Sequence, residues 1–229
     1  MQTNIPKSVF EFLTKIEKNN NRDWFAENMK MYTKQHEFVT SFADSLLIKM
    51  NKYDQLETPS GKKACFRIYR DVRFSKNKDP YKTNMGIGIK RATAFKRGSY
   101  YINIKPGECF IGGGFWGPNP SDLKLLRKHI EADAKPLRNV LNSKDFKNTF
   151  GKMTGQLVKT SPKGFDIKNT NIDLLRYKQY LVTKEFKDRE FQDLKFIKTA
   201  LKTFLALRPF FDVMSEWLTT DLNGSPLYE

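Results

Sequence analysis

The chain has 229 residues, 39% hydrophobic and 29% charged, with nineteen phenylalanines, enough to bury an aromatic-rich core in one large domain or two small ones. Lys and Arg outnumber Asp and Glu by 41 to 25, a formal net charge of +16, and no apolar run has the length of a membrane-spanning helix or forms a signal-peptide core at the N-terminus. Cys65 and Cys109 lack CxxC or metal-type spacing, which argues against a disulfide or zinc scaffold and makes reduced thiols in the cytoplasm the expectation.

The opening segment KSVFEFLTKIEKNN spaces Val9, Phe10, Leu13 and Ile16 at helical intervals, with Ser8 as candidate cap and the Asn19–Asn21 run as its end. A longer helical stretch runs from about Arg22 to Asn51, striped by Trp24, Phe25, Phe38, Phe42, Leu46 and Met50 and broken near Asn28. ETPSGKK reads as a turn. From residue 64 the period becomes two: Phe66, Ile68, Val72 and Phe74 alternate with Arg67, Tyr69, Asp71 and Arg73, a strand pattern in which Arg70 falls on the apolar face. A polar loop, SKNKDPYKT, leads to Met85, Ile87 and Ile89 alternating with Gly86 and Gly88. YYINI and, after a Pro106–Gly107 turn, ECFIGGGFW complete four runs that predict an antiparallel meander over about 64–114.

Helical periodicity returns after Pro118 and Pro120, with Leu123, Leu126 and Ile130 on one stripe. A further helix is expected over Pro136–Leu141, and another capped by Ser143 and reaching Phe150. QLVKTSP and YLVTKEFK read as strands around a short helix at IDLLRYK. Two closing helices, 188–206 and 209–219, are expected on either side of Pro209. With no linker or repeat, the pattern predicts a single α+β domain over residues 1–229, a mostly antiparallel sheet flanked by N- and C-terminal helices.

The positive charge is local. Residues 62–97 hold twelve Lys or Arg against Asp71 and Asp79, a net of +10, so one face is expected to attract anions. At its centre lies FRIYRDVRFSKNKDPYK, residues 66–82. This stretch is similar to the signature of the "domain of unknown function 2461" family, as are NNNRDWFAENMKMY, YYINIKPGECFIGGGFW and LLRYKQY. The resemblance spans nearly the whole chain and implies one domain, without implying a reaction. Asn77 stands where that family often has Asp, which removes one carboxylate from any acid–base scheme.

On a strand, Arg67, Tyr69, Asp71 and Arg73 would share a face with about 7 Å between alternate members. Such a face suits a phosphate held by Arg67 and Arg73, with Arg70 nearby, Asp71 orienting a guanidinium, Lys76, Lys78 and Lys82 closing over it, and Tyr81 as a stacking wall. Gly86, Gly88 and Gly112–Gly114 would leave a shallow floor, with Gly113 and Trp116 as a candidate wall.

Three readings stay open: a phosphate-bearing or other anionic small ligand; a nucleic acid stacked on Tyr69, Phe74, Tyr81 and Tyr100; or an internal ion-pair lattice, to which Arg70 would belong. IGGGFWGPNP lacks the Lys-Ser/Thr of a phosphate loop. Asp71 and Asp79 are too few for a metal-dependent nuclease core. His36 and His129 each stand alone and read as surface histidines. No metal or cofactor is therefore assigned, and no reaction.

Overall fold

Apolar spacing and side-chain caps set the N-terminal helices. In the computed structural model, which describes residues 2–92 and 95–227, α1 (Lys7–Lys18) buries Val9, Phe10, Phe12, Leu13 and Ile16 along one stripe. Its cap is Pro6, not Ser8. The Ser8 hydroxyl instead donates to Gln35 Oε1 at 2.8 Å and ties α1 to α3 (Met29–Met50). α2 (Arg22–Glu27) begins at Asn21, whose side chain accepts from the Trp24 amide, and Asn28 separates α2 from α3 as expected. α4 (Gly61–Ala64) is one turn capped by Ser60. A Cβ on Gly61 would lie 2.2 Å from the Thr40 carbonyl oxygen, so only glycine brings α4 this close to α3.

Four strands, β1 (Met85–Lys90), β2 (Ser99–Ile104), β3 (Cys109–Phe115) and β4 (Tyr180–Phe186), form one antiparallel sheet in the order β1-β2-β3-β4. The α+β class and the meander therefore hold, with corrections to its members; Thr93 and Ala94, inside the expected span, lie outside the described residues. The run from Phe66 to Phe74 is not a strand. Cys65 and Tyr69 make isolated antiparallel bridges to Ile87 and Tyr81, and beyond Arg70 the chain leaves any partner to form a loop. The fourth strand is YLVTKEF, and QLVKTSP is reduced to one bridge, Leu157 to Tyr177. Side chains alternate as the pleat requires: Met85, Ile87, Ile89, Ile102, Ile104 and Ile111 are buried, while Gly86, Gly88, Tyr101 and Phe110 lie on the opposite face.

Two compact units partition the chain: residues 1–89, 101–111 and 185–202, and residues 90–100, 112–184 and 203–229. In the first, α9 (Asp188–Gln192) and the start of α10 (Phe196–Thr219) bring Phe191 and Phe196 together at 4.1 Å, with Phe42 stacked on Phe196 at 5.4 Å. The expected division at Pro209 falls instead at residues 193–195, and Pro209 lies within α10. Burial of Phe204, Leu207, Phe210 and Phe211 on both sides of the proline outweighs the hydrogen bond it removes.

The second unit holds α5 (Pro120–Ala132), α6 (Lys135–Asn142), α7 (Lys144–Phe150, capped by Ser143) and α8 (Ile172–Leu175). Tyr100 packs against Phe204 and Phe211 at 4.8 and 4.9 Å. His129, expected at the surface, is buried, stacked on Trp217 with its Nε2 3.2 Å from the Thr220 carbonyl oxygen.

Arg91 is the deepest cation of this unit, its side chain 1% exposed. It donates to Asp212 at 2.5 Å, to Ser215 at 3.3 Å and to the Arg97 carbonyl at 3.4 Å. Removing Asp212 would take a carboxylate from beside this buried guanidinium. Asp212→Ala is expected to cost about 2–3 kcal/mol, below the fully buried range because the Asp212 side chain is half-exposed. The check is the urea midpoint, with Arg91→Met/Asp212→Ala expected to recover part of the loss.

Candidate functional site

The motif is built upward from a short two-stranded base. The Phe66 amide donates to Gly86 O at 2.9 Å, which anchors the segment beside β1. Lys82 N to Ile68 O (2.8 Å) and Arg70 N to Pro80 O (2.9 Å) then pair residues 68–70 with 80–82. Tyr81 fixes this base from inside. It is 6% exposed, lies 4.0 Å from Phe25 in a stacked pair, and has Tyr69 5.5 Å away. Asn20 grips the same residue by both backbone groups, accepting from its amide at 3.1 Å and donating to its carbonyl at 3.0 Å.

Arg70 organises the loop that follows. Its guanidinium donates to Asn77 Oδ1 at 3.0 Å, to the Asp79 carbonyl at 3.1 Å and to Ser75 Oγ at 3.4 Å. Asn77 Oδ1 also receives the Asp79 amide at 2.7 Å, so an uncharged acceptor at this position closes the turn. Lys78 Nζ donates to the Val72 carbonyl at 3.0 Å across the same loop.

Other members of the motif face solvent. Asp71 and Arg73 form a bidentate pair at 3.0 and 2.7 Å, and Asp71 also accepts the Arg73 amide; these bonds hold its carboxyl below the usual aspartate range. The Arg73 guanidinium lies 5.9 Å from the ring of Phe74, which is 95% exposed. The side chains of Arg67 and Lys76 are exposed and, among the described residues, have no hydrogen-bond or ion-pair partner. Lys82 bonds the Arg67 carbonyl at 2.8 Å and lies 5.6 Å from the Phe66 ring centre; burial and neighbouring Arg67 pull its pKa below the ordinary lysine value.

Of the eight motif residues expected to bind, Arg70 and Tyr81 thus turn inward, Asp71 and Arg73 pair with each other, Lys82 is half-buried on the Arg67 carbonyl, and Arg67, Arg73, Lys76 and Lys78 ring the outside. Gly113 and Trp116 belong to the second unit. A Cβ on Gly113 would meet Leu207 and the Ser99 carbonyl at 2.6 Å, which makes it a close-packing position, and Trp116 is 74% exposed beyond β3. The expected floor at Gly86 and Gly88 carries the protein's own Phe66 and, over Gly86, the Tyr101 hydroxyl, 2.6 Å from where a Cβ would stand. A Cβ on Gly88 would lie 2.8 Å from the Phe66 ring, and one on Gly86 3.1 Å.

Sequence reasoning missed Asn20 and Ser75 as binders of the loop, and Phe66, Tyr101 and Phe110 as neighbours. Phe66 and Tyr101 are 5.8 Å apart, Tyr101 and Phe110 5.7 Å. Alternating glycines opposite an aromatic were the available signal.

A separate cleft of about 270 Å³ is lined by His36, Glu37, Thr40, Ser41 and Lys62. His36 Nδ1 lies 3.4 Å from Thr40 Oγ1, which in turn contacts Cys65 Sγ at 3.8 Å. Burial lowers the His36 pKa and pushes the Cys65 thiol up to about 11. Cys65 therefore stays protonated at neutral pH and is a poor nucleophile. Among the described residues no three His, Cys, Asp or Glu side chains gather as a metal set, and no helix is long and apolar enough to cross a membrane.

Two outcomes are expected. Arg70→Met should release the loop while the aromatic base stays packed, so trypsin cleavage after Arg73, Lys76 and Lys78 rises by about tenfold or more with a small change in thermal midpoint. Unchanged cleavage would show that Arg70 does not hold the loop. Iodoacetamide should label Cys65 at pH 8 roughly a hundredfold more slowly than an unperturbed thiol, from the lost thiolate alone, with the rate climbing up to about pH 11.

Comparison with curated proteins finds no match, and comparison with solved structures finds none. A family model described as "Conserved hypothetical protein (DUF2461)" matches residues 8–213. That span takes in all but the first residue of α1, the braced loop, the whole sheet and most of α10, and the chain belongs to this family, DUF2461.

Proposed function

We propose that the protein binds an extended polyanion, a nucleic-acid phosphate backbone, on the outer surface of the loop at residues 71–79 and the adjoining Arg67. The observation that carries this reading is the division of labour within the motif. Arg70 and Tyr81 fix the loop from within, while Arg67, Arg73, Lys76 and Lys78 are all exposed on it beside the fully exposed Phe74. A small phosphate ligand gains most from cations that converge on an enclosed space, with their partners desolvated. Cations spread over a protruding, braced loop suit a repeating row of phosphates, each neutralised separately. The exposed Phe74, next to Arg73, adds an apolar surface on which a base can stack.

Asp71 sets the strength of this surface. It neutralises Arg73, and because its carboxyl is held below the usual aspartate range the pair persists as pH falls through the mildly acidic region. The reading assigns binding and no turnover.

Salt dependence is the test. The protein should retard a fluorescent oligonucleotide at low salt, with log K falling linearly as log salt rises. Arg67→Gln/Lys76→Gln should reduce that slope by about 1.4 on a single strand or about 1.8 on a duplex, corresponding to two phosphates released. Asp71→Asn should do the opposite, freeing Arg73 and steepening the slope. A parent protein that retains neither DNA nor RNA at low salt would end the reading.

A further inference from the structure

Phe66, Tyr101 and Phe110 form a continuous aromatic strip on the sheet face opposite the core, next to the loop that the proposed function uses. Phe66 is 52% exposed, and Tyr101 and Phe110 are partly exposed. The rings are inclined to one another, by 65° between Phe66 and Tyr101 and 45° between Tyr101 and Phe110, so each offers a face of its own, and β1 makes the room for the first. Gly86 and Gly88 carry no side chains, and one side of the Phe66 ring rests on their backbone. Centre-to-centre spacings of 5.8 and 5.7 Å make Tyr101 the neighbour of both other rings. Cations bracket the near end: Arg67 follows Phe66 in the chain, and Lys82 lies 5.6 Å from the Phe66 ring while bonding the Arg67 carbonyl. Beside Tyr101, the Asn84 amide donates to Asn103 Oδ1 at 2.7 Å.

Resting on the proposed function, we infer that the polyanion is single-stranded and that its unpaired bases stack along Phe66, Tyr101 and Phe110. Base faces are unavailable in a duplex, whereas a splayed strand offers them at no unpairing cost. Every base has a π-face, so the strip reads no sequence. Arg67 and Lys82 take the phosphates of the nucleotides stacked at the Phe66 end. Residues 62–89, in the same unit as the strip, hold eight Lys or Arg against Asp71 and Asp79, a net of +6, which selects a polyanion over an apolar or basic protein partner for this face.

The experiment compares a fluorescent single strand of about 20 nucleotides, the same strand with abasic sugars, and the matching duplex, by anisotropy on the full chain. The parent should bind the single strand about tenfold or more tighter than either comparator. Phe66→Leu and Phe110→Leu keep apolar bulk on the sheet, and each should weaken single-strand binding by about tenfold while leaving duplex affinity and salt slope unchanged. Photocrosslinking of the unmodified protein to a 5-iodouracil strand removes any dependence on variant folding; adducts should map to Phe66, Tyr101 or Phe110. Equal affinity for the abasic and intact strands, or crosslinks confined to residues 73–78, would overturn the aromatic-strip inference and leave the charged-loop reading standing. Failure of the parent to bind any of the three would overturn both.

Discussion

The Arg70 guanidinium gathers the Asn77 side chain, the Asp79 carbonyl and the Ser75 hydroxyl into one planar fork. A lysine at this position would offer a single point charge on a mobile stem and could not span three acceptors at fixed angles. Without those bonds the loop would be a flexible, highly cationic segment, and ordering it on a partner would cost backbone entropy of about 1–2 kcal/mol per residue at the moment of binding. With them, most of that ordering is completed on folding. The surface presented by Arg67, Arg73, Lys76 and Lys78 therefore depends on a cation that itself faces away from it.

A second constraint fixes where that loop emerges. Tyr81 is held by Phe25 on one side and by both polar groups of Asn20 on the other, and these residues come from the helical N-terminal region. Helix and loop are thus joined through a backbone clasp and a ring stack, contacts that add no charge of either sign. Carboxylates would have served the same structural end. Their absence from the clasp leaves the local excess of positive charge uncompensated, and like charges held together on a rigid frame repel one another until an anion arrives.

The helices were legible because their apolar stripes repeat over several turns; α1, the Asn28 break between α2 and α3, and the Ser143 cap of α7 all fall where the periodicity puts them. Strands β1 to β3 were legible for the same reason at period two. The segment from Phe66 to Phe74 shows how alternation misleads when its side chains serve different masters. Ile68 is buried, Phe66 is seated against two glycines, and Phe74 is open to solvent, so the apparent apolar face is no face at all. Arg70 was the one residue out of pattern, and it is the one that turns the chain. Its partners were not legible, because hydrogen bonds to a neutral amide, a hydroxyl and a carbonyl leave no compositional trace. Asn20 illustrates the same limit at a separation of 61 residues.

Gly86 and Gly88 sharpen what the motif requires of the sheet. A Cβ at Gly86 would lie 2.6 Å from the Tyr101 hydroxyl and one at Gly88 2.8 Å from the Phe66 ring, and Phe66 begins the segment whose backbone joins β1 through its own amide. Glycine weakens a strand by its conformational entropy and its lack of packing surface, and the two that alternate in this six-residue strand make room there for the Tyr101 hydroxyl and the Phe66 ring. The room they leave seats the half-exposed Phe66 ring beside Arg67 and Lys82, and that is the arrangement on which the proposed stacked base depends.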